Sequence, residues 1–478
     1  MLAQELHSLI EDIILEKTDR QRVELRCDGY WATEKLYTVL SAFANQAGGG
    51  TIVFGVDPRN STRIVGVRDA AAIHDQVMTA AHQLEPAAEA FFTETVYNGM
   101  TVISAEISEC EPEKKPCYYK PAGRASGAFE RIGGECVAMS EFEVYCFDAY
   151  RNKIRDELRV VERTKLKDIN REQLAAYFAK LRAEKPRLVK NDAARVMQLQ
   201  GIAEEEQLTM GGLMLLGDYP QGYFPQMGII ATAVAGTQRI GPDDFPNEIT
   251  DSRRFEGSIR QMLNDAMAFV RRNMKNVVNK DSKGLRTGRP EYPLPAVREL
   301  LLNAMIHRDY SVYTEDAPIT LTMYSDRLVV ENPGGLFGTM TIGELGKSHP
   351  DRRNPYIAGN IEVLLGKSAA ISGIPLVCAE MRKAGLKPPV FESARGQFRA
   401  TLYNSPAPDG KAEEPTVSER ILEFCDTPKS KDEIADLLEI NTSYYVVTKY
   451  LHPLVKAGTL AMTHPDKPKS KFQKFYRI

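Results

Sequence analysis

Residues 293–311 read PLPAVRELLLNAMIHRDYS. Apolar residues fill most of the stretch from Ala296 to Ile306, which predicts a helix buried on most of its sides. Pro290, Pro293 and Pro295 punctuate the chain ahead of it. Glu299, Asn303 and His307 recur every four residues and form one polar stripe on this apolar helix. A carboxylate that orients a water, followed one turn later by an amide that holds magnesium, is the arrangement a nucleotide-hydrolysing site needs. The plainer reading is that these polar residues cap neighbouring loops.

Downstream, ITLTMY (319–324), the turn SDR and LVVENPGG (328–335) read as a hairpin. NSPAPDGKAEEP (404–415) is rich in proline and polar residues and marks a linker. In the last 63 residues, Ser430 with Glu433 gives a capping box before a helix. Thr442 can cap the next helix, 442–457, and a strand, a Lys-rich loop and FQKFYRI follow. This is the order of a winged helix-turn-helix. Ser443, Tyr444, Tyr445 and Lys449 fall on accessible turns of the expected recognition helix, with Thr448 beside them. Lys467, Lys469, Lys471, Lys474 and Arg477 surround the wing, where cations and aromatic rings suit phosphate and groove contact.

Upstream, residues 1–18 carry Leu2, Leu6, Leu9, Ile10, Ile13 and Ile14 at helical spacing, and 34–46 read as a second helix. Gly48–Gly50 stop that helix, TIVFGVD reads as a buried strand, and Asn98-Gly99 is a two-residue turn signal inside TETVYNGMTVISAEIS. The three glycines could offer backbone N–H groups to a phosphate, but such turns more often supply positive φ. No GxxxxGK[ST] is present. Asp19, Glu24 and Asp57, from separate segments, could converge on Mg²⁺ or Mn²⁺ and activate water; solvated surface carboxylates are the plain alternative. Residues 150–190 are dense in charge and predict a helical connector or exposed helical layer. Residues 191–290 read as α/β, with a long helix near 255–274. Trp31 is expected to pack in the N-terminal domain.

The chain has 478 residues, which predicts about three domains. Hydrophobic residues make up 43% and charged residues 26%, which excludes a mostly disordered or collagen-like chain. A net charge of −3 excludes a uniformly basic coat while leaving room for a local basic patch. Seven scattered cysteines without a CxxC predict a reducing, cytoplasmic setting and no zinc ribbon. No stretch is long and apolar enough to predict a transmembrane helix, and the N-terminus lacks the apolar core of a signal peptide.

The order of motifs carries a resemblance. VELRCDGYWATEKLYTVLSAFANQAGGGTIVFGVDPRNSTRIVGVRD, then KPCYYKPAG, then FERIGGECVAMSEFE resembles a Schlafen-type AlbA domain over about residues 15–147. Glu24, Arg26, Phe43, Asn45, Gly48, Gly49, Gly55, Val56, Asp57 and Arg131 occupy its motif positions. The resemblance implies nucleic-acid binding, with Arg26 and Arg131 as contacts. In its nuclease members it implies a metal site of three carboxylates, for which Asp19, Glu24 and Asp57 are the counterparts. Asp19 stands for a Glu, and Arg26 for a Lys.

EYPLPAVRELLLNAMIHRDYSVY, ITLTMYSDRLVVENPGGL, RRNPYIA and SGIPLVCAEMRKAGLKPPVFE resemble the divergent GHKL ATPase-like (Bergerat-type) domain. That domain follows the AlbA-type domain in bacterial regulators often labelled RecG-like. The resemblance implies ATP with Mg²⁺ held by Asn303, His307, Asn332, Gly334, Gly335 and Gly373, with Glu299 as the base and Asn303 at the metal. Asn332 stands where an ordinary GHKL fold uses an Asp to read the adenine amine. Ile371 replaces the first glycine of a later box, where a side chain would block close backbone approach to phosphate.

The expected fold is therefore α+β and multidomain. A Schlafen AlbA-like domain spans 1–150, a helical connector 151–190 and an α/β middle segment 191–290. A GHKL-like domain spans 291–405, a linker 406–415 and a winged helix 416–478. The expected function is a cytoplasmic, homodimeric, DNA-binding transcription regulator with a nucleotide-sensing domain. The alternatives are a metal-dependent Schlafen-type nuclease and an ATPase switch.

Overall fold

The computed structural model describes residues 1–15, 20–27, 33–58, 63–238, 248–280, 286–347, 351–365, 373–406, 421–422, 424–438, 446–456, 459–464, 470 and 473–477. The chain is α+β and multidomain, as expected, and divides into two compact units, Met1–Ser405 and Pro406–Ile478.

The first unit opens on a four-stranded sheet in the order Val23–Arg26, Gly50–Phe54, Met100–Ile107, Ala90–Tyr97. The first pair is parallel and the others antiparallel. Successive side chains of a strand point to opposite faces, so the two central strands serve two cores. Ile52, Phe54, Ile103 and Ala105 pack under the helices Thr33–Asn45 and Ala70–His82. Val23, Leu25, Val53 and Val102 pack under Leu6, Ile10 and Ile13 of the helix Ala3–Ile14. The hairpin turns at Asn98 and Gly99, with φ of 49° and 78°, the left-handed pair that a tight two-residue turn requires.

The glycine run works by close packing. A Cβ on Gly50 would stand 2.2 Å from the Phe43 ring, and one on Gly49 (φ +68°) 2.1 Å from the Ile107 carbonyl. The Gly48 N–H donates to Glu109 (2.7 Å) and the Gly49 N–H to the Gln46 carbonyl (3.1 Å), so neither amide is left for a phosphate. Trp31 lies outside the described residues.

A six-stranded sheet dominates the remainder of the first unit. Its order is Ile249–Phe255, Ile229–Val234, Ile319–Met323, Arg327–Pro333, Gln397–Tyr403, Val390–Ala394. Ile229–Val234 pairs in parallel with Ile319–Met323, and the other pairs are antiparallel. One continuous core runs from Val161 to Leu402. The expected boundaries near 190 and 290 lie within the span of this one core, and the pair Ile229–Val234 and Ile319–Met323 joins the segments on either side of 290 in one sheet. The helix Arg171–Glu184, expected in a connector, buries Tyr177 and Leu181 completely. Its dense charge occupies only the outer face. The long helix is Ile259–Asn273, with Met262, Leu263, Ala266, Phe269 and Val270 inward.

In the second unit, Ser430 and Glu433 make the expected capping box on the helix Lys431–Leu437. Val447–Leu451 and His452–Lys456 form a second helical stretch. A three-stranded antiparallel sheet orders Lys429–Ser430, Lys474–Arg477, Leu460–Met462. Ile421, Cys425, Ile434, Val446, Leu451, Leu460 and Phe475 form the core. The expected linker is outside the described residues from 407 onward.

Asn45, at the end of its helix, is a buried hub. Its amide accepts from the Cys117 N–H (2.6 Å) and donates to the carbonyls of Cys117 (2.9 Å) and Phe129 (3.0 Å). Removing it strands a buried N–H and two carbonyls. Asn45→Ala is expected to destabilise the protein by about 2–4 kcal/mol, read as a lower urea midpoint. A loss below about 0.5 kcal/mol, the range of surface substitutions, would contradict this role.

Candidate functional site

The helix Leu294–His307 runs along the six-stranded sheet and turns sharply at Arg308. The buried Asn354 side chain donates to the carbonyls of Ile306 (2.8 Å) and Arg308 (2.7 Å), satisfying the helix end. Asp309 donates its N–H to the Pro333 carbonyl (2.8 Å) and forms an ion pair with Arg353. Both side chains are removed from solvent, Asp309 fully and Arg353 to 7% exposure. Arg353 also donates to the Gly335 carbonyl (3.3 Å) and lies 4.7 Å above the centre of the Phe337 ring. HRDY, NPGG and RRN are thereby tied into one corner.

That corner forms part of a cavity of about 510 Å³. Asn303 and His307 of the helix, Asn332 at the end of its strand, Gly334 and Gly335 of the following turn, and Gly373 all line it. The six residues expected to hold a nucleotide thus share one space, although they span 303 to 373 in sequence. Apolar walls come from Leu300, Val330, Phe398 and Ala400, and charged ones from Asp351, Arg352, Arg353 and Glu362. An apolar slot with a few convergent polar groups suits a ligand with a flat ring and a charged tail. Gly334 is required as glycine, since its φ is +102° and a Cβ would stand 2.8 Å from the Asp309 nitrogen.

Glu299 departs from expectation. It is 3% exposed and does not line the cavity. Burial raises the pKa of its carboxyl, while a bond from the Gly373 N–H and the charge of Arg298 oppose the shift. Its carboxyl thus interacts with the first residue of the helix Gly373–Lys383 and stands apart from the cavity wall. Residues at i and i+8 of a helix diverge by about 80° around its axis, enough to split the stripe. Ile371 lies outside the described residues.

Around the first sheet, Glu24 is doubly paired. One oxygen meets Arg26 (2.7 Å) and the other Arg131 (2.8 Å). A metal would have to displace two guanidinium groups, a poor setting for a shared-metal ligand. Asp57 is half-buried on a short strand, in register with Arg63, and Asp19 lies outside the described residues. Among the described residues, no three His, Cys, Asp or Glu side chains are grouped to hold a metal.

Arg131 is also a correction. Its side chain is 2% exposed. It donates to Glu24, to the carbonyls of Arg20 (3.0 Å) and Val23 (3.3 Å) and to the Cys136 sulfur (3.3 Å), and it covers the Phe43 ring. It locks the domain's interior and cannot reach a phosphate. Arg26 keeps more exposure, 16% of its side chain.

Of the expected C-terminal contacts, Ser443, Tyr444, Tyr445, Lys467, Lys469 and Lys471 lie outside the described residues, and Lys449 lies on the helical segment Val447–Leu451. Lys474 and Arg477 sit on the last strand with exposed side chains. Sequence reasoning gave no role to Asp309, Asp351, Arg352, Arg353, Asn354 and Glu362. The signal was the polar run HPDRRNP (349–355) ahead of the largely apolar YIAGNIEVLL.

Comparison with known proteins adds three family matches. The family described as "Schlafen, AlbA_2" matches residues 19–140. That described as "Putative ATP-dependent DNA helicase recG C-terminal", HATPase_c_4, matches 316–402, a range that starts beyond the Asn303 helix. "Filamentation induced by cAMP protein Fic-like, C-terminal domain" matches 417–478. No curated protein matches the chain. Among solved structures, a Corynebacterium diphtheriae protein is 18% identical with a TM-score of 0.41, covering 95% of this chain and 93% of its own. The N-terminal domain of a RecG-related protein from Nitrosomonas europaea is 25% identical with a TM-score of 0.22, covering 26% and 90%. A Fic family protein from Desulfovibrio desulfuricans is 11% identical with a TM-score of 0.13, covering 64% and 74%. At these TM-scores none of the three bears on function. No helix among the described residues is long and apolar enough to cross a membrane. The chain joins a Schlafen AlbA_2 domain to a recG-C-terminal-type HATPase_c_4 domain, the domain types of nucleic-acid-related, ATP-associated proteins.

Proposed function

We propose that this protein binds ATP with Mg²⁺ in the cavity beside Asn303 and uses that state to tune its hold on DNA, as a transcription regulator would. The observation that carries the reading is the convergence of Asn303, His307, Asn332, Gly334, Gly335 and Gly373 on one cavity that is apolar on one part of its wall and charged on another. Asn303 would sit at the metal. Asn332 donates through Nδ2 to the Pro333 carbonyl (3.4 Å), which leaves its Oδ1 as an acceptor suited to an exocyclic amine. With Glu299 turned to Gly373, binding is better supported than turnover.

For nucleic acid, the support is the Schlafen-type domain together with a C-terminal unit whose helices, three-stranded sheet and basic last strand fit a winged helix. Ser443, Tyr444, Tyr445 and Lys449 would read duplex DNA, with Lys467, Lys469 and Lys471 on phosphates and Arg26 as the N-terminal contact. A homodimer would match paired half-sites. The nuclease reading is not carried forward, because both oxygens of Glu24 are already engaged by arginines.

Saturating Mg-ATP is expected to raise the melting midpoint, by the equivalent of about 2.7 kcal/mol at a hundredfold excess over Kd. Asn303→Ala should abolish most of that shift, and an unshifted wild type would refute the nucleotide reading. Changing Lys467, Lys469 and Lys471 together to Ala should make the log–log salt dependence of duplex binding shallower by about 2–3 units. An unaltered slope would remove those lysines from the interface.

Burial, reinforced by Arg352 and Arg353, pushes His307 down to about 4. As pH falls, the unfolded chain takes up this proton first, near its ordinary value of about 6.5. The contribution of His307 to stability is complete above that pH and is lost as pH falls from 6.5 toward 4. His307→Gln should flatten that acid-side loss by an amount on the order of 2 kcal/mol, measured from unfolding at pH 7 and pH 4.5.

A further inference from the structure

The cavity and the N-terminal domain share one helix, Glu141–Arg151. Tyr150 meets Phe337, a cavity wall residue, edge to face with ring centres 5.6 Å apart. Burial, together with the charge of Asp351, a second wall residue, raises the pKa of the Tyr150 hydroxyl. Burial raises the Cys146 thiol pKa, and the charge of Arg353, a third wall residue, opposes that rise.

A second bridge is the hairpin of Val390–Ala394 and Gln397–Tyr403. Its tip, Arg395 and Gly396, has φ of 51° and 67°. On the cavity side, Gly396 accepts the Gly334 N–H at 2.7 Å, and Ser393 Oγ accepts the Leu336 N–H at 3.0 Å. On the other side, Gly396 lies so near Phe142 that a Cβ would stand 2.3 Å from the ring. Arg395 donates to Glu130 (3.1 Å), the Ala138 carbonyl (3.3 Å) and Glu143 (3.4 Å). Glu130 is the neighbour of Arg131, the cation that holds Glu24. The loop Gly334–Phe337 is thus in direct contact with both the hairpin tip and the helix Glu141–Arg151.

We propose that the Arg395–Gly396 hairpin tip and the helix Glu141–Arg151 form a relay by which a nucleotide in the cavity alters the Phe129–Ile132 strand and, through Arg131, the nucleic-acid affinity of the Schlafen-type domain. The proposal rests on the nucleotide reading of the cavity. Arg395 is a positioning residue in it and touches no ligand. Linkage makes the effect reciprocal: ATP and duplex DNA shift each other's affinity by one factor, about fivefold or more.

The test is hydrogen–deuterium exchange on the full chain with and without saturating Mg-ATP, paired with melting and with binding of labelled duplex DNA. In the wild type, ATP is expected to change exchange in 334–339, in 141–151 and in 129–132. In Arg395→Ala, the response at 334–339 persists, that at 129–132 is lost, and the affinity factor returns to about one. If that variant does not fold, Arg395→Lys keeps the cation without the planar fork and is expected to weaken the same response. A melting shift with exchange changes confined to the cavity walls overturns the relay alone. So does an Arg395→Ala protein that responds at 129–132 as the wild type does. Absence of any melting shift and any exchange change overturns the nucleotide reading, and the relay with it.

Discussion

The buried pair of Asp309 and Arg353 is the contact on which the cavity depends. Two opposite charges withdrawn from water repay their desolvation only when their other hydrogen-bonding atoms are also occupied. Here most are. Asp309 receives the Ser311 N–H at 2.9 Å and a contact from Thr314 Oγ1, while Arg353 reaches the Gly335 carbonyl and covers Phe337. The pair joins the end of one helix to the start of another and fixes the turn between them and the glycines. Apolar replacements could fill the volume, but they would not set the direction of the Gly335 carbonyl.

A similar logic operates in the N-terminal domain. Arg131 and Asn45 stand in segments whose motifs point to ligand contact, yet both spend their hydrogen bonds on their own chain. Each ties strands to loops that are distant in sequence, so a strict requirement for the residue type follows from folding alone. Glu24 is drawn into the same lattice by Arg26 and Arg131. What remains for nucleic acid is the outer rim of this domain and the basic strand of the C-terminal unit.

Much of the fold was legible where a local rule is strong. Asn98-Gly99 specified its hairpin because only a left-handed pair closes two residues between strands. Ser430 and Glu433 marked a helix start because the capping box is a local bond pattern. The cavity residues were legible from motif order, while the burial of Glu299 away from the cavity was not, since which part of a polar stripe faces a pocket depends on what packs there. The hidden parts were non-local. Nothing near residue 230 states that its strand partner lies near 320, so the middle segment read as a body of its own. The charge of Arg171–Glu184 concealed Tyr177 and Leu181, because a helix with one buried stripe is mostly polar by count. Arg353 was invisible for a further reason: its partner is forty-four residues away.

The parallel pairing of Ile229–Val234 with Ile319–Met323 also bears on how the chain is made. Ile229 and Ile319 are in register and ninety residues apart. At ordinary translation rates the earlier strand waits about 5–20 s after leaving the ribosome before its neighbour emerges. Until then the edge that pairs with Ile319–Met323 stays open. The antiparallel strand Ile249–Phe255 emerges sooner and can shield one side, and its Asp251, Arg253 and Arg254 are poor templates for a stray strand. Slower elongation between the two strands would lengthen that exposure.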